Sequence, residues 1–357
     1  MTGQFFQIDR RSWRKACDVG LNAAVAYLVL ATGTGKDNRT TSWSANAMEQ
    51  RTGISRARAC ASIRVLEEAG LIQSKRGGSR PQYFLTPADK VPGIGGHAEP
   101  EWIWLPNTLV NGAADEVPPI ERLRRLGDVR PLKLLVELYH EQLLADNGGL
   151  HWRLIRQSFR RERIGEAGHF AFWSFTEDTD ALWWDGPFEA FRTGKTGKKG
   201  RDLASEDVWA AWQALIASGL IECVEHLIEA DSNEGEILHP CPINTGSKIE
   251  QELGQTARDF TLSIAGPTTQ SMLNGGEDII AVSDAFPNIQ MVGIYRLRYR
   301  PHTAATAAWI SHDEKWKDWI NGYRREIGNP HSTDLLVRSP NLQHQGISKE
   351  IKVGQRD

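Results

Sequence analysis

The amino-acid sequence predicts a mainly α fold with small β hairpins (α+β), and three observations carry that expectation. Apolar residues recur at helical spacing, most plainly Ala59, Ile63, Leu66 and Ala69, which share one face of a helix. Glycine and proline interrupt the helical segments. The run Leu66-Glu67-Glu68-Ala69-Gly70-Leu71-Ile72 returns as Leu215-Ile216-Ala217-Ser218-Gly219-Leu220-Ile221. Each copy leads into an extended stretch, a polar turn and a second extended stretch. At 357 residues, and about 150 residues per domain, the chain has room for two or three cores.

Charge is unevenly placed. The formal net charge is −3, yet residues 10–90 hold 14 Lys and Arg against 6 Asp and Glu. A basic N-terminal quarter on an acidic remainder localises phosphate affinity to that quarter. The cysteines, Cys17, Cys60, Cys223 and Cys241, are too few and too scattered for a disulfide framework, which fits a reducing cytoplasm. Arg10-Arg11-Ser12-Trp13-Arg14-Lys15 before the apolar Val19–Ala31 imitates a twin-arginine leader. That run is too short to span a membrane, and no small-x-small cleavage site follows it, so no membrane association is expected.

Taken in order, Met1–Asp9 is a lead-in and Arg14–Ala31 the first helix. Thr32–Ser42 is a polar loop in which Gly33-x-Gly35-Lys36 imitates a phosphate loop. The glycine and hydroxyl positions that such a loop requires hold Leu30 and Asp37, so the motif fails. Ala45–Gln50 is a short helix, and Thr52-Gly53-Ile54 a tight turn in which Gly53 takes a positive φ. Ser55 caps the next helix with its hydroxyl; that helix runs to Ala69 and leaves Arg56, Arg58, Ser62 and Arg64 off its apolar face. Gly70 ends it. Leu71-Ile72 starts a strand, Gly77-Gly78 turns, and Gln82–Leu85 returns, with Lys75, Arg76 and Arg80 around the turn.

This stretch resembles the winged helix-turn-helix superfamily, and the pattern G-I-S-x-x-x-x-x-x-I-x-x-L-x-x-x-G-L-I, Gly53 to Ile72, carries the resemblance over roughly residues 14–88. The resemblance implies a DNA-binding domain over 10–88 whose second helix enters the major groove while the hairpin lies on the backbone or in the minor groove. Its DNA contacts would be Ser55, Arg56, Arg58, Ser62, Arg64, Lys75, Arg76, Ser79 and Arg80.

Residues 86–100 are rich in proline and glycine, and a linker is expected over 89–101. Beyond it, Trp102–Asn111 reads as a strand and turn, Ile120–Leu126 as a short helix, and Pro131–Ala145 as a helix capped by Asp128. Leu150–Ile164 reads as a helix that places Arg153, Arg156, Arg160 and Arg163 on one face. That face is either solvated or a second phosphate contact. The aromatics of Gly165–Phe191 suit the core of an inserted sheet or hairpin better than nucleobase stacking. Arg192–Arg201 is a basic loop whose Lys195, Lys198 and Lys199 suit DNA phosphates; Gly194-Lys195-Thr196 fails as a phosphate loop because Glu189 stands where the first glycine belongs.

Ser205–Ser218 and the hairpin after it complete a second winged-helix domain over 102–245, with an insertion at 165–201. Its hairpin carries Glu222, Glu225, Glu229, Asp231, Glu234 and Glu236, which repel phosphate and suit dimerisation or a protein partner. Cys223-x-x-His226 and His239-x-Cys241 fit no zinc spacing, and neither metal nor cofactor is expected. Lys248–Leu262 reads as helix and Ala265–Asn288 as loops with short elements. Ile294–Arg300 reads as a strand with Arg296, Arg298 and Arg300 on a basic outer face. Thr303–Ile327 reads as an amphipathic helix burying Trp309, Trp316, Trp319, Ile320 and Tyr323. Residues 246–327 form a C-terminal extension or dimerisation segment, and 328–357 a disordered tail.

The function expected is sequence-specific binding of double-stranded DNA by a homodimer, most simply as a transcriptional regulator. Two unequal winged-helix domains in tandem are similar in order to plasmid replication initiators, which makes an initiator of a plasmid or other mobile element the alternative. A protein–protein scaffold with a vestigial winged helix is a third. No nucleophile–base pair, metal set or phosphate loop survives its spacing test, so an enzyme is not expected.

Overall fold

The computed structural model describes residues 5–75, 81–95, 99–113, 116–143, 148–152, 154–178, 203–230, 235–242, 244–274, 278–300 and 313–328. Its first element is a strand, β1 (Phe5–Asp9), and Asp9 caps the helix after it by accepting from the Arg11 amide at 3.0 Å. The single helix expected over Arg14–Ala31 is two, α1 (Arg10–Val19) and α2 (Leu21–Thr32), because Gly20 adopts φ 131° between them. Helix α2 is buried from Ala23 to Ala31, as suits a helix that is apolar all round.

Around it run β2 (Thr40–Thr41), α3 (Ala45–Thr52), α4 (Arg56–Glu68), β3 (Ile72–Lys75) and β4 (Gln82–Leu85). The strands form an antiparallel sheet in the order β2-β4-β3. The two helices, the turn between them and the hairpin lie where the sequence places them.

A 3-10 turn at Ala88–Lys90 and the buried Val91 come next. Strand β5 (Trp102–Pro106) then pairs antiparallel with β1, in register from Phe5 opposite Pro106 to Asp9 opposite Trp102. The stretch expected as a linker is therefore bridged. Helices α5 (Thr108–Asn111), α6 (Pro119–Arg125) and α7 (Val129–His140) pack beside it, and β6 (Gln142–Leu143) pairs with β7 (Gly149–Leu150). The fully buried Glu137 of α7 takes Arg10 Nε at 2.7 Å and Arg14 Nε at 2.9 Å. One hydrophobic core runs from Phe6 and Trp13 through Leu28, Leu66, Ile103 and Leu135 to Trp212 and Leu297.

The mainly α expectation is overturned by the remaining elements: β8 (Arg156–Ala167), β9 (Phe170–Asp178), α8 (Leu203–Ala217), β10 (Ile221–Glu229), β11 (Glu236–Pro240), α9 (Lys248–Ile264), α10 (Pro267–Asn274), β12 (Asp278–Ser283), β13 (Ile289–Leu297) and α11 (Asp313–Gly328). Six of these strands form one curled antiparallel sheet in the order β11-β10-β13-β8-β9-β12. Helices α9 and α11 pack on each other and against its edge strands. The Ala281 amide of β12 donates to Thr261 Oγ1 at 2.8 Å, and Tyr323 Oη of α11 lies 2.9 Å from His239 Nε2 of β11.

Three expectations are corrected, each for a physical reason. The expected second winged-helix domain is not formed, and with it goes the tandem order on which the likeness to plasmid initiators rested. What would be its wing strand, β10, pairs with β13 along nine residues, from Ile221 opposite Leu297 to Glu229 opposite Ile289, inside the large sheet. The repeat that suggested duplication is a Schellman cap used twice. Leu71 N donates to Leu66 O and Gly70 N to Glu67 O, both at 2.9 Å; Leu220 N donates to Leu215 O at 3.0 Å and Gly219 N to Ile216 O at 2.8 Å. The capping glycine and the leucines on either side of the bend belong to that local motif, which any helix leading into a strand can use.

Second, the arginine-bearing segment expected as a helix over Leu150–Ile164 is mostly strand β8. Its residues are good helix formers, but pairing with β9 and β13 decides. Third, Arg296 is not on an outer face: it is 1% exposed, because β13 is central and covered on both sides.

Candidate nucleic-acid interface

Helix α3 ends at Thr52, and Gly53 turns the chain with φ 63°, a left-handed conformation that glycine takes without strain. Ser55 precedes α4 in extended backbone (φ −59°, ψ 145°), but its side chain makes no capping bond, contrary to expectation. The inner face of α4 buries Ala59, Ser62, Ile63 and Leu66. Ser62 is thus turned away from solvent, its hydroxyl donating to the Arg58 carbonyl at 2.9 Å, and it is withdrawn as a DNA contact. The outer face exposes Arg56, Ala57, Arg58, Cys60, Ala61, Arg64, Val65 and Glu68.

Two electrostatic features distinguish α4. Its first turn carries Arg56 and Arg58 and no acidic residue, so positive side chains stand at the positive end of the helix dipole, an unfavourable placement that an approaching anion relieves. Arg56, Arg58 and Arg64 also make no ion pair or hydrogen bond with any described residue. Arginines nearby are engaged. Arg10 and Arg14 hold Glu137, Arg11 holds Asp9, Arg125 holds Glu121 and Arg130 holds Asp128. Arg51 lies 3.8 Å over the Trp43 ring and donates to Asn111 Oδ1 at 2.9 Å. Among the described residues of the first quarter, Arg10, Arg11, Arg14 and Arg51 are thus engaged, whereas the arginines of α4 stand exposed.

In that hairpin, Lys75 is exposed at the end of β3 opposite Gln82. Arg76, Ser79 and Arg80 lie outside the described residues, as do Arg153, Lys195, Lys198 and Lys199.

The rest of the expected arginine face is dispersed. Arg156 and Arg160 project from one side of β8 and Arg163 from the other, opposite Trp173. Arg156 sits 5.1 Å over the Trp152 ring, Arg160 is 3.4 Å from Asp178, and Arg163 is 2.8 Å from Glu166. They form no shared phosphate face. The acidic hairpin is likewise dispersed: Glu222 pairs with Arg300 at 3.3 Å, and Glu225 is half-buried with its carboxyl pushed up by burial. Asp231 and Glu234 lie outside the described residues.

Two buried clusters hold side chains of reactive type. Cys241 Sγ lies 3.3 Å from His239 Nδ1, but burial pushes the thiol well up and the imidazole down to about 4, so the pair stays neutral and lacks a thiolate. His226 donates through Nδ1 to the Val224 carbonyl at 2.7 Å and accepts through Nε2 from Arg296 at 3.0 Å. Arg296 in turn pairs with the buried Glu250 at 2.8 Å. Every member of that network meets a partner inside the core, which is a structural arrangement. Among the described residues no group of three His, Cys, Asp or Glu side chains is placed to hold a metal ion, and no helix is long and apolar enough to cross a membrane.

What the residue pattern missed is the support beneath the turn. Arg124 of α6 donates through Nε to the Thr52 carbonyl at 2.7 Å. The only sequence signal was the dense basic run Arg122-Leu123-Arg124-Arg125, which carries no partner information. Comparison with protein-family models, with curated proteins and with solved structures returned no significant match.

Proposed function

We propose that this protein binds double-stranded DNA sequence-specifically, most simply as a transcriptional regulator, and that α4 is its reading element. The observation that carries the reading is the set of exposed arginines on α4, Arg56, Arg58 and Arg64, that no described carboxylate neutralises. Lys75 extends the same charge onto the hairpin. A helix that is apolar within and cationic without, followed by a hairpin, presents base-reading and phosphate-gripping groups together. The winged helix-turn-helix resemblance of Gly53–Ile72 supports the same reading.

The test is selection from a randomised duplex pool at two salt concentrations, with the Arg56→Ala/Arg58→Ala variant in parallel. The expected result is a defined site whose affinity falls with salt. Three phosphate contacts, from Arg56, Arg58 and Lys75, would give a log–log slope of about −3 for each protomer, shallower by about 2 per protomer in the variant. No enrichment, or an unaltered variant, would refute the reading. Binding as a homodimer is part of the proposal and predicts a two-fold symmetric site; an asymmetric one counts against it.

A further inference from the structure

We propose that Arg124 is a positioning residue for the DNA reading assigned above to α4, on which this inference rests. In this view α6 is the strut through which the sheet-bearing part of the molecule sets the angle between α3 and α4. The Thr52 carbonyl closes α3 and belongs to the last turn, whose carbonyls have no donor within the helix. Arg124 Nε supplies one at 2.7 Å, a charge-assisted bond at the negative end of the α3 dipole. The grip is close. A Cβ built on Gly53 would stand 3.1 Å from Glu121 Oε1 and 3.5 Å from Arg124 Nη2, so α6 lies directly against the turn.

The same short helix reaches the other way. Arg122 donates through Nη1 to the Ser218 carbonyl at 2.9 Å, at the end of α8, and through Nη2 to Tyr299 Oη at 2.8 Å. Tyr299 lies just past β13, and its carbonyl accepts from Tyr139 Oη at 2.6 Å. Ile120 and Leu123, fully buried, anchor the helix between the two arginines' targets. Residues two apart on one helix thus tie the turn to the capped end of α8 and to the end of the central strand. The hinge of the reading helix is not free-standing: its carbonyl is held by an element that is itself clamped to the sheet.

The test uses the full-length protein with Arg124→Ala, Arg124→Lys and Arg122→Ala. Two quantities are read: the ratio of affinities for a duplex selected by the unaltered protein and for an unrelated duplex, and amide hydrogen exchange at residues 54–58. Loss of a hydrogen bond to a charged donor predicts that Arg124→Ala weakens the selected duplex by about tenfold, the unrelated one by no more than about twofold. Exchange at residues 54–58 is expected to quicken while that of α2 is unchanged. Arg124→Lys, which keeps one donor, should recover part of both effects, and Arg122→Ala should move both in the same direction by less. Equal weakening of the two duplexes, or exchange that quickens throughout the molecule, would reduce Arg124 to a stability residue and overturn the proposal. So would unchanged exchange at the turn. If the unaltered protein prefers no duplex, the reading of α4 itself fails and takes the inference with it, an outcome visible in the unaltered arm alone.

Discussion

In the DNA reading proposed above, Arg56, Arg58 and Arg64 share a helix but not a role. At 3.6 residues per turn, Arg64 falls near the centre of the exposed face, one turn beyond Cys60 and Ala61 and two beyond Ala57, while Arg56 and Arg58 flank that face on opposite sides. A central long side chain among short ones can reach a groove floor; flanking ones meet the walls. Arg64→Ala is therefore expected to relax preference at one base pair by about 1–3 kcal/mol, whereas Arg56→Ala weakens all duplexes alike and lowers the salt slope by about 1. Competition binding against permuted sites separates the two, and uniform weakening by Arg64→Ala would refute the assignment.

The buried histidines set a second expectation at this scale. His226 is pushed down to about 3 by burial and then by Arg296, and His239 down to about 4 by burial. Unfolded imidazoles, near 6.5, take up protons that the folded ones refuse. The unfolded state thus binds more protons, and stability rises with pH. It is complete above about pH 6.5 and falls on acidification by about 1.4 kcal/mol per unit for each histidine. The depressed carboxyls of Glu137 and Glu250 add their own loss below the ordinary carboxylate range. Urea unfolding between pH 7 and 5 isolates the histidine part; a flat profile would mean that both imidazoles take up protons in the fold as readily as in the unfolded chain.

Elements whose signals are local were legible in the sequence; those that depend on distant partners were not. The helix pair and hairpin of residues 45–85 carry their own turn glycine, apolar stripe and cap, and each of these acts within a few residues. Strand β8 carries helix-forming residues, and only β9, β13 and their register make it a strand. Its arginines were read at helical spacing for that reason, and the phosphate face drawn from them disappeared with the helix. Arg296 misled through the same gap, because strict alternation says which residues share a face but not that both faces are covered.

The double cap makes a matched pair of tests. Gly219→Ala meets open space, its nearest neighbour being Arg298 Nη1 at 3.9 Å, and should cost only the left-handed strain of φ 62°, about 1–2 kcal/mol. At Gly70, φ 72°, the new Cβ would also stand 2.5 Å from Pro92 Cδ, so Gly70→Ala should cost more. Urea midpoints compare them directly, and equal costs would show that Pro92 yields freely.

On the scale of the whole molecule, the candidate reading unit is not separable from the elements C-terminal to it. Strand β1 has its partner in β5, Arg10 and Arg14 of α1 have theirs in Glu137, and α2 shares a core with Ile103, Leu123 and Leu135. A fragment ending at residue 95 would leave Arg10 and Arg14 without their carboxylate and expose much of that core. It is expected to lack a cooperative thermal transition and to bind a hydrophobic dye; a sharp transition in its calorimetric trace would show that the first quarter folds alone. The charge asymmetry read from the sequence is real in count, but its meaning changes at this scale. Part of the positive surplus, Arg10, Arg14 and Arg51, joins the two regions, while Arg56, Arg58 and Arg64 stand exposed together on α4.

The pairing of β1 with β5 also orders events in time. Phe5 leaves the ribosome well ahead of Pro106, the residue that stands opposite it in the finished sheet. At about 5–20 residues per second, the nascent chain must hold β1 without its partner for several seconds. During that interval the basic helix is already outside the exit tunnel while the strut that would orient it, α6, is still being made. A polyanion present at that stage would meet the α4 arginines before the turn at Gly53 has its support, and the arrangement proposed above for α3 and α4 is complete only once α6 has arrived.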